Sequence, residues 1–502
     1  MTDKKLIDRR RFLKTASCAA AALGGSVLGV VGARAAGKRP NILFALADDW
    51  SWPHASIAGD TVVKTPTFDR VARKGVLFTN AFVSAPSCTP SRGAILTGQW
   101  HWRLEEGASL HSTLRKKFDV YPDLLEQSGY HVGFTRKGWS PGNYKTGGRT
   151  RNPAGPDYKD FARFLEARPL GKPFCFWFGS HDPHRGYKWQ SGVTSGMSLE
   201  DVTVPPCLPD SDVVRTDICD YYWEVQRFDR EVGEMLDMLE EKGELDNTLV
   251  VISGDNGMPF PRCKSNLYDL GTNAPLAVCW GDRTKGGRVI EDFVSLSDLA
   301  PTFLEAAGLE PAAAMTGRSL LDVLDSGNSG RVDPKRDHVL TGKERHTLCQ
   351  KDSTNGYPMR AIRTHEFLYI RNFRPDRWPA GHPSDGRIDP RGYGDIDASR
   401  TKVYMMDHRD DPRVKRLSDL AFEKRLDDEL YDLGKDPGQL DNVADKAEYA
   451  ETKEKLGARL MAELRATGDP RALGKGDVFD NYPYYGGTRR KRTSRTGKNG
   501  GK

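Results

Sequence analysis

The sequence predicts an α/β fold, with a large strand-and-helix domain followed by a smaller one. Three observations predict it. Short runs that are apolar throughout alternate with stretches of helical spacing, charged and polar residues recur directly after those runs, and near residue 350 the pattern changes to period-two alternation. An unbroken apolar run is how a strand buried on both faces reads, as in a sheet covered by helices. Roughly 450 residues between the two chain ends suffice for one large and one small domain.

The elements follow in order. Residues 41–47 (NILFALA) read as a buried strand ending in Asp48-Asp49, and 67–74 (TFDRVARK) as a helix stopped by Gly75. Residues 76–83 have strand character, 121–128 helical spacing, and 130–135 strand character again. Residues 173–179 (PFCFWFG) predict a strand followed at once by His181, and 217–239 a long helix. Residues 248–253 (TLVVIS) predict a strand running into Gly254-Asp255-Asn256, and 276–280 a further strand. Beyond 350, 359–373 read as a hairpin, 429–433 lead into a turn at Asp436-Pro437, and a helix runs from about 446 to 467. Open α/β sheets carry their sites at the C-terminal ends of strands. That singles out Asp48, Asp49, His181, Asp255 and Asn256.

The ends differ from the body. Arg9-Arg10-Arg11-Phe12-Leu13-Lys14 fits the twin-arginine export pattern R-R-x-F-L-K, and Ala33-Arg34-Ala35 supplies an A-x-A cleavage site. The apolar stretch between them, 19–31, is too short for a membrane span. The expectation is a signal peptide at 1–35, a twin-arginine translocase as partner, and a periplasmic or otherwise exported product. Residues 489–502 hold seven Lys or Arg and no apolar side chain, so a disordered basic tail is expected. The two ends carry +5 and +7 of a net +6, leaving the body at −6, so the basic balance does not point to nucleic acid. Domain expectations are 36–350 for the catalytic part and 351–488 for the second. Beyond Cys18 and Cys88, the cysteines show no metal-knuckle spacing; Cys207 and Cys219 are the nearest pair if export permits a disulfide.

Cys88-Thr89-Pro90-Ser91-Arg92 fits C-x-P-S-R, a pattern that chance gives in roughly one chain in a thousand of this length. A formylglycine-generating enzyme reads this signature. With it stand SHDPHR at 180–185, DNGMPFP at 255–261, NLYDLGTNAPL at 266–276, YPMR at 357–360 and ELYDLGKDPGQLDNVA at 429–444. On these segments the chain resembles the type I, formylglycine-dependent sulfatases, and within them the heparan N-sulfatase (N-sulfoglucosamine sulfohydrolase) branch.

The resemblance implies an alkaline-phosphatase-like sandwich, a large mixed sheet between helices, with a short antiparallel sheet in a smaller C-terminal domain. It implies formylglycine made from Cys88, and Ca²⁺ held by Asp48, Asp49, the modified Cys88, Asp255 and Asn256. An oxygen-only donor set suits such a hard cation. Arg92 would orient the formylglycine hydrate, His181 would act as general acid, and Lys137 and Lys264 would clamp the sulfate. His184, Arg185, Arg345, His346 and Arg360 are candidates for binding an acidic sugar, or equally for structural ion pairs. One position departs from the family pattern T-G-K-x-H: here Thr135-Arg136-Lys137-Gly138 is followed by Trp139, which cannot take a proton. His111, or Arg92 with solvent, would have to serve instead. The function implied is removal of sulfate from N-sulfoglucosamine at the end of heparan-type fragments. An O-sulfate exo-sulfatase, a phosphodiesterase or phosphonate hydrolase of the same superfamily, and a glycan-binding pseudosulfatase are the alternatives. The sequence does not indicate an oligomeric state.

Overall fold

The computed structural model describes residues 39–487, so the segments expected to be a signal peptide and a basic tail lie outside the described residues. Among the described residues thirteen strands are formed: β1 (Asn41–Ala47), β2 (Val76–Phe78), β3 (Ala81–Phe82), β4 (His131–Arg136), β5 (Phe174–Gly179), β6 (Thr248–Gly254), β7 (Leu276–Cys279), β8 (Arg288–Ile290), β9 (Val294–Ser295), β10 (His338–Lys343), β11 (Met359–Thr364), β12 (Phe367–Asn372) and β13 (Asp428–Asp432). Seven make one mixed sheet in the order β4-β5-β1-β6-β7-β2-β8. The first four run parallel, with Leu43 beside Phe176 and Val250, whereas β7 runs antiparallel to both its neighbours.

The apolar runs explain this sheet. Side chains alternate across a strand, so a strand covered on both faces needs apolar residues at every position. In β1, Leu43, Ala45 and Ala47 enter one core while Ile42, Phe44 and Leu46 enter the other. Phe174, Phe176 and Phe178 of β5 join the first core; Cys175 and Trp177 join the second. The long helix Asp212–Glu241 covers the first face through Tyr222, Phe228 and Leu236, and helix Leu299–Ala306 covers the second through Phe303 and Leu304. The layers are helix, sheet, helix.

The second sheet is antiparallel throughout, in the order β10-β11-β12-β13. One face packs against helix Ala450–Ala466, where Leu456, Leu460 and Leu464 repeat every fourth residue, the spacing that stacks side chains on one helix face. The other face packs Met359, Leu368 and Tyr431 on Leu267 and Tyr268 of the large-sheet region. Strand β10 lies ahead of the boundary expected near 350.

Some expectations need correction. The stretch 76–83 is two strands in different sheets, because β2 pairs with β7 and β8 while β3 pairs with β9. The long helix starts at Asp212, five residues before its expected start at 217, since the Ser211 side chain accepts from Val214 N and caps it. Cys207 shares a thiol hydrogen bond with Cys263, not with Cys219, and all three are free thiols.

Candidate active site

Four parallel strands that lie side by side end at one edge of the large sheet, and each delivers a functional side chain there. β1 is followed by Asp48 and Asp49, β6 by Asp255 and Asn256, β4 by Lys137, and after β5 comes His181. Close backbone approach at this edge requires glycine: a Cβ on Gly179 would lie 1.7 Å from the Lys137 carbonyl oxygen. Asp49 has φ 76°, the left-handed region a non-glycine residue seldom enters, and its N–H donates to Asp255 Oδ1 at 3.0 Å.

Helix Cys88–Thr97 places its first residue over this edge. Cys88 Sγ lies 3.4 Å from Asp48 Oδ1, and one turn on, at i+4, Arg92 faces the same way. The Arg92 guanidinium is fully buried. Its Nε donates to Asp255 Oδ2 at 2.7 Å and its Nη1 to the Lys137 carbonyl at 2.5 Å, while Nη2 has no hydrogen-bond partner among the described residues. Lys137 Nζ bonds Asp48 Oδ2, and Lys264 Nζ lies 2.7 Å from Asp49 Oδ2 and 3.1 Å from Asp397 Oδ2.

The charges are strongly coupled. Burial opposes ionisation of Asp48, but Lys137, His184, Arg92 and Lys264 outweigh it and hold its carboxyl far below the usual range. Burial, with Asp48 and Asp49 adding to it, pushes Asp255 up against the pull of Arg92. Burial works against the Lys264 charge as well, yet Asp397 and Asp49 keep its ammonium well above the ordinary value. The Cys88 thiol is driven well above its ordinary range by burial and by Asp48, so it stays protonated and is a poor nucleophile as it stands.

The ligand atoms of Asp48, Asp49, Cys88 and Asp255 lie within 4.8 Å of one another. Asn256 Nδ2 donates to Asp49 Oδ1 at 2.7 Å, while its Oδ1 is buried with no hydrogen-bond partner among the described residues. A buried acceptor without a donor is costly unless something else engages it. Three carboxylates and an idle amide oxygen, with no imidazole in that group, fit a hard divalent cation.

Above this floor opens a cavity of about 790 Å³. Asp48, Cys88, Lys137, His181, His184, Arg185, Lys264 and His346 line it, so most residues picked out in the sequence converge. Asp49, Arg92, Asp255 and Asn256 lie beneath them, fully buried. Burial, aided by Lys137 and Arg92 against Asp48, holds His181 below its ordinary pKa. His346 bonds Ser87 Oγ at 2.8 Å, directly before Cys88.

Three arginines expected at the sugar do not present their charge to the cavity. Arg360 is fully buried, with Nε 2.6 Å from Asp469 and Nη2 2.7 Å from Glu344. Arg345 gives its Nη groups to the carbonyls of Thr354, Tyr482 and Pro483. Arg185 reaches the cavity wall, but its guanidinium pairs with Asp217 at 2.7 Å and stacks over Phe260. Charged groups near a site thus divide into those with a free face and those already neutralised, which sequence does not separate.

Trp139 is buried in the second core, against Gly93 of the Cys88 helix, and does not line the cavity. His111 does. Ser112 bridges Gly142 in the loop after Trp139, which brings His111 to the cavity with φ 51°. Burial, with Lys137, Arg345 and Lys264 nearby, lowers its imidazole to about 4. Sequence reading missed Asp397 and Tyr484, which also line the cavity. Both come from irregular segments with no periodicity or motif to mark them.

The family model described as Sulfatase matches residues 40–155 and 156–309, and that described as N-sulphoglucosamine sulphohydrolase, C-terminal, matches 263–378. Human N-sulphoglucosamine sulphohydrolase is 30% identical, covering 86% of this chain and 91% of its own. Among solved structures, one described as a complex with its substrate D-glucosamine-2-N,6-O-disulfate aligns with a TM-score of 0.60 at 20% identity, over 86% of this chain and 99% of its own. Phosphonate monoester hydrolase of Agrobacterium radiobacter aligns at 0.63 and 17% identity, over 86% and 97%. At such identities these structures share the fold, an alkaline-phosphatase-like sandwich.

Proposed function

The chain belongs to the sulfatase family, and from that premise we propose that it releases sulfate from N-sulfoglucosamine at the end of heparan-type fragments, with formylglycine made from Cys88. It is a hydrolase of sulfuric ester or sulfamate bonds. The observation that carries the reading is the cavity floor, where Cys88 at a helix start meets three carboxylates, an idle amide oxygen and two buried lysines. The choice of the N-sulfated sugar rests on the match of 263–378 and on the human relative. The export pattern at the N-terminus supports action outside the cytoplasm.

Formylglycine hydrate carries two hydroxyls on one carbon, one to attack sulfur and one to expel sulfate afterwards. Asp48, Asp49, Asp255, Asn256 and the modified Cys88 would hold Ca²⁺, which when bound supplies positive charge for the sulfate oxygens. The chain's own groups do the rest. Arg92 Nη2, 3.8 Å from Asp48 Oδ1 but without a hydrogen-bond partner among the described residues, is placed to hold a hydroxyl of the modified side chain. Lys137 and Lys264 face the cavity with charges fixed by their aspartates and take sulfate oxygens. His181, exposed to the cavity, gives a proton to the leaving nitrogen. With Trp139 in the core, His111, which lines the cavity and is held neutral at ordinary pH, is one candidate to accept a proton at the end of the cycle, and Arg92 with solvent is the other.

The test is a screen of the purified protein on glucosamine N-sulfate, on O-sulfated amino sugars and on an aryl phosphonate, with free sulfate or phenol as readout. Release from glucosamine N-sulfate is the expected result. Cleavage of O-sulfated sugars alone would move the substrate assignment within the family, and preference for the phosphonate would end it.

A further inference from the structure

We propose that segment 482–487 is a specificity wall of the cavity and that the Tyr484 ring is the platform on which the sugar stacks; this rests on the sulfated-sugar reading above. Tyr484 and Gly487 both line the cavity that holds Cys88. Among its described lining residues Tyr484 is the sole Phe, Tyr or Trp. The floor offers charge for a sulfate, but the C–H face of a pyranose needs a flat apolar partner. Tyr484 supplies one, and Ile388, Pro390 and Ile396 supply apolar surface from a separate segment.

The segment is built to hold that ring. Arg345, only 2% exposed, donates to the Tyr482 and Pro483 carbonyls, each at 2.8 Å, and its guanidinium lies 5.5 Å from the Tyr484 ring centre. Tyr485 N–H donates to the His111 carbonyl at 2.8 Å, and the Tyr484 and His111 rings meet edge to face at 5.1 Å. Just before the segment, Asp480 pairs with Arg377 at 2.8 Å. The segment's backbone is therefore tied on both sides of Tyr484, which fixes where the ring points. A residue held that firmly presents a preformed surface, and preformed surfaces bind without an ordering penalty. Arg345, expected from sequence to touch the substrate, becomes a positioning residue for the one that does.

Two measurements test this. The first is equilibrium binding of glucosamine N-sulfate to a Cys88→Ala background, with and without Tyr484→Ala, Tyr484→Leu and Tyr484→Phe. Ala and Leu should weaken binding about tenfold, within the range of one aromatic contact, and Phe should retain it. The second is the ratio of kcat/KM for glucosamine N-sulfate to that for a nitrophenyl sulfate in the Cys88 enzyme. Tyr484→Ala should lower that ratio about tenfold through KM, and Tyr484→Phe should restore it. Equal binding by all variants, or equal losses on both substrates, would overturn the proposal. Binding that depends on Tyr484 in a protein that turns over neither sulfate would leave the wall standing and remove the sulfatase reading instead.

Discussion

At the floor of the cavity, Asp48, Lys137, His181 and Asp255 each follow the end of a parallel strand; at the rim, Asp397 and Tyr484 come from stretches without regular structure. The floor inherits its geometry from the sheet, whose backbone ladder fixes four chain exits side by side. The rim has no such ladder. It is held by buried ion pairs instead: Lys343 with Asp395, Arg360 with Glu344 and Asp469, Arg471 with Glu344, and Arg377 with Asp480. The division suggests a rule for this molecule. Floor substitutions should change the chemistry for every substrate, and rim substitutions should change the choice among them.

The largest effect should come from Cys88. Cys88→Ala should abolish turnover of saccharide and aryl sulfate alike, because it removes the proposed formylglycine nucleophile. Peptide mass spectrometry of protein made beside a formylglycine-generating enzyme should find an aldehyde at Cys88. Active enzyme with an intact thiol there would break the account of the floor.

Asp255 comes next, because it serves two partners. Asp255→Ala would remove a ligand of the proposed cation and also strips the buried Arg92 of its closest carboxylate. Activity should fall by orders of magnitude, and stability should fall by about 3–5 kcal/mol, the usual consequence of leaving one buried charge unpaired. Chelation should reproduce the first loss, with Ca²⁺ but not Zn²⁺ restoring the rate. Denaturant unfolding separates the two effects: an Asp255→Ala protein as stable as wild type would mean that Arg92 is satisfied by the Lys137 and Gly138 carbonyls alone.

His181 is a floor residue whose effect should nonetheless depend on substrate. An amine leaving from sulfur must gain a proton, whereas a nitrophenolate leaves unaided. His181→Ala should therefore cost about 10²–10⁴-fold on glucosamine N-sulfate and much less on the aryl sulfate. Because surroundings lower the His181 pKa, sulfamate turnover should decline as pH rises through a value below 6.5, the direction expected of a required acid. Equal losses on both substrates would make His181 a sulfate ligand.

The same contrast explains what the sequence made legible. The strands β1, β5 and β6 could be placed almost to the residue, since burial on both faces leaves an apolar text that few other structures produce. Their C-terminal residues followed, and with them the floor. Lys137 and Lys264 were legible through family segments. The roles of Arg345, Arg360 and Arg185 were not, because a structural arginine and a substrate clamp use the same residue in the same kind of local sequence, and only the partners distinguish them: Glu344 and Asp469 for Arg360, Asp217 for Arg185, and the Thr354, Tyr482 and Pro483 carbonyls for Arg345. Asp397 and Tyr484 were invisible for a different reason: their place depends on tertiary anchors more than a hundred residues away in sequence, such as Lys264 for Asp397 and Arg345 for the segment carrying Tyr484.

The smallest effect concerns the join of floor and rim, where His346 sits behind Cys88. Burial, with Lys264 and Lys343 opposing Asp395, lowers His346 to about 3, and His111, which lines the same cavity, stands near 4. In the unfolded chain both would titrate near 6.5. Between these values the unfolded state binds more protons than the folded one, so stability rises with pH. The contribution is complete above about 6.5 and is lost as pH falls toward the folded values; by pH 5 the loss amounts to roughly 2 kcal/mol for each imidazole. Asp229, raised to about 6 by burial, acts in the opposite direction, since a carboxyl that protonates more readily when folded gains stability as pH falls. The wild-type curve therefore mixes both signs, and the difference between variants is the cleaner measure. His346→Asn can keep a hydrogen bond to Ser87 while removing the titration. Its melting temperature should fall less than that of wild type between pH 7.5 and 5. Parallel curves for the two proteins would mean that His346 is already accommodated as a cation beside Asp395, and that the rim meets the floor through charge and not through a neutral hydrogen bond.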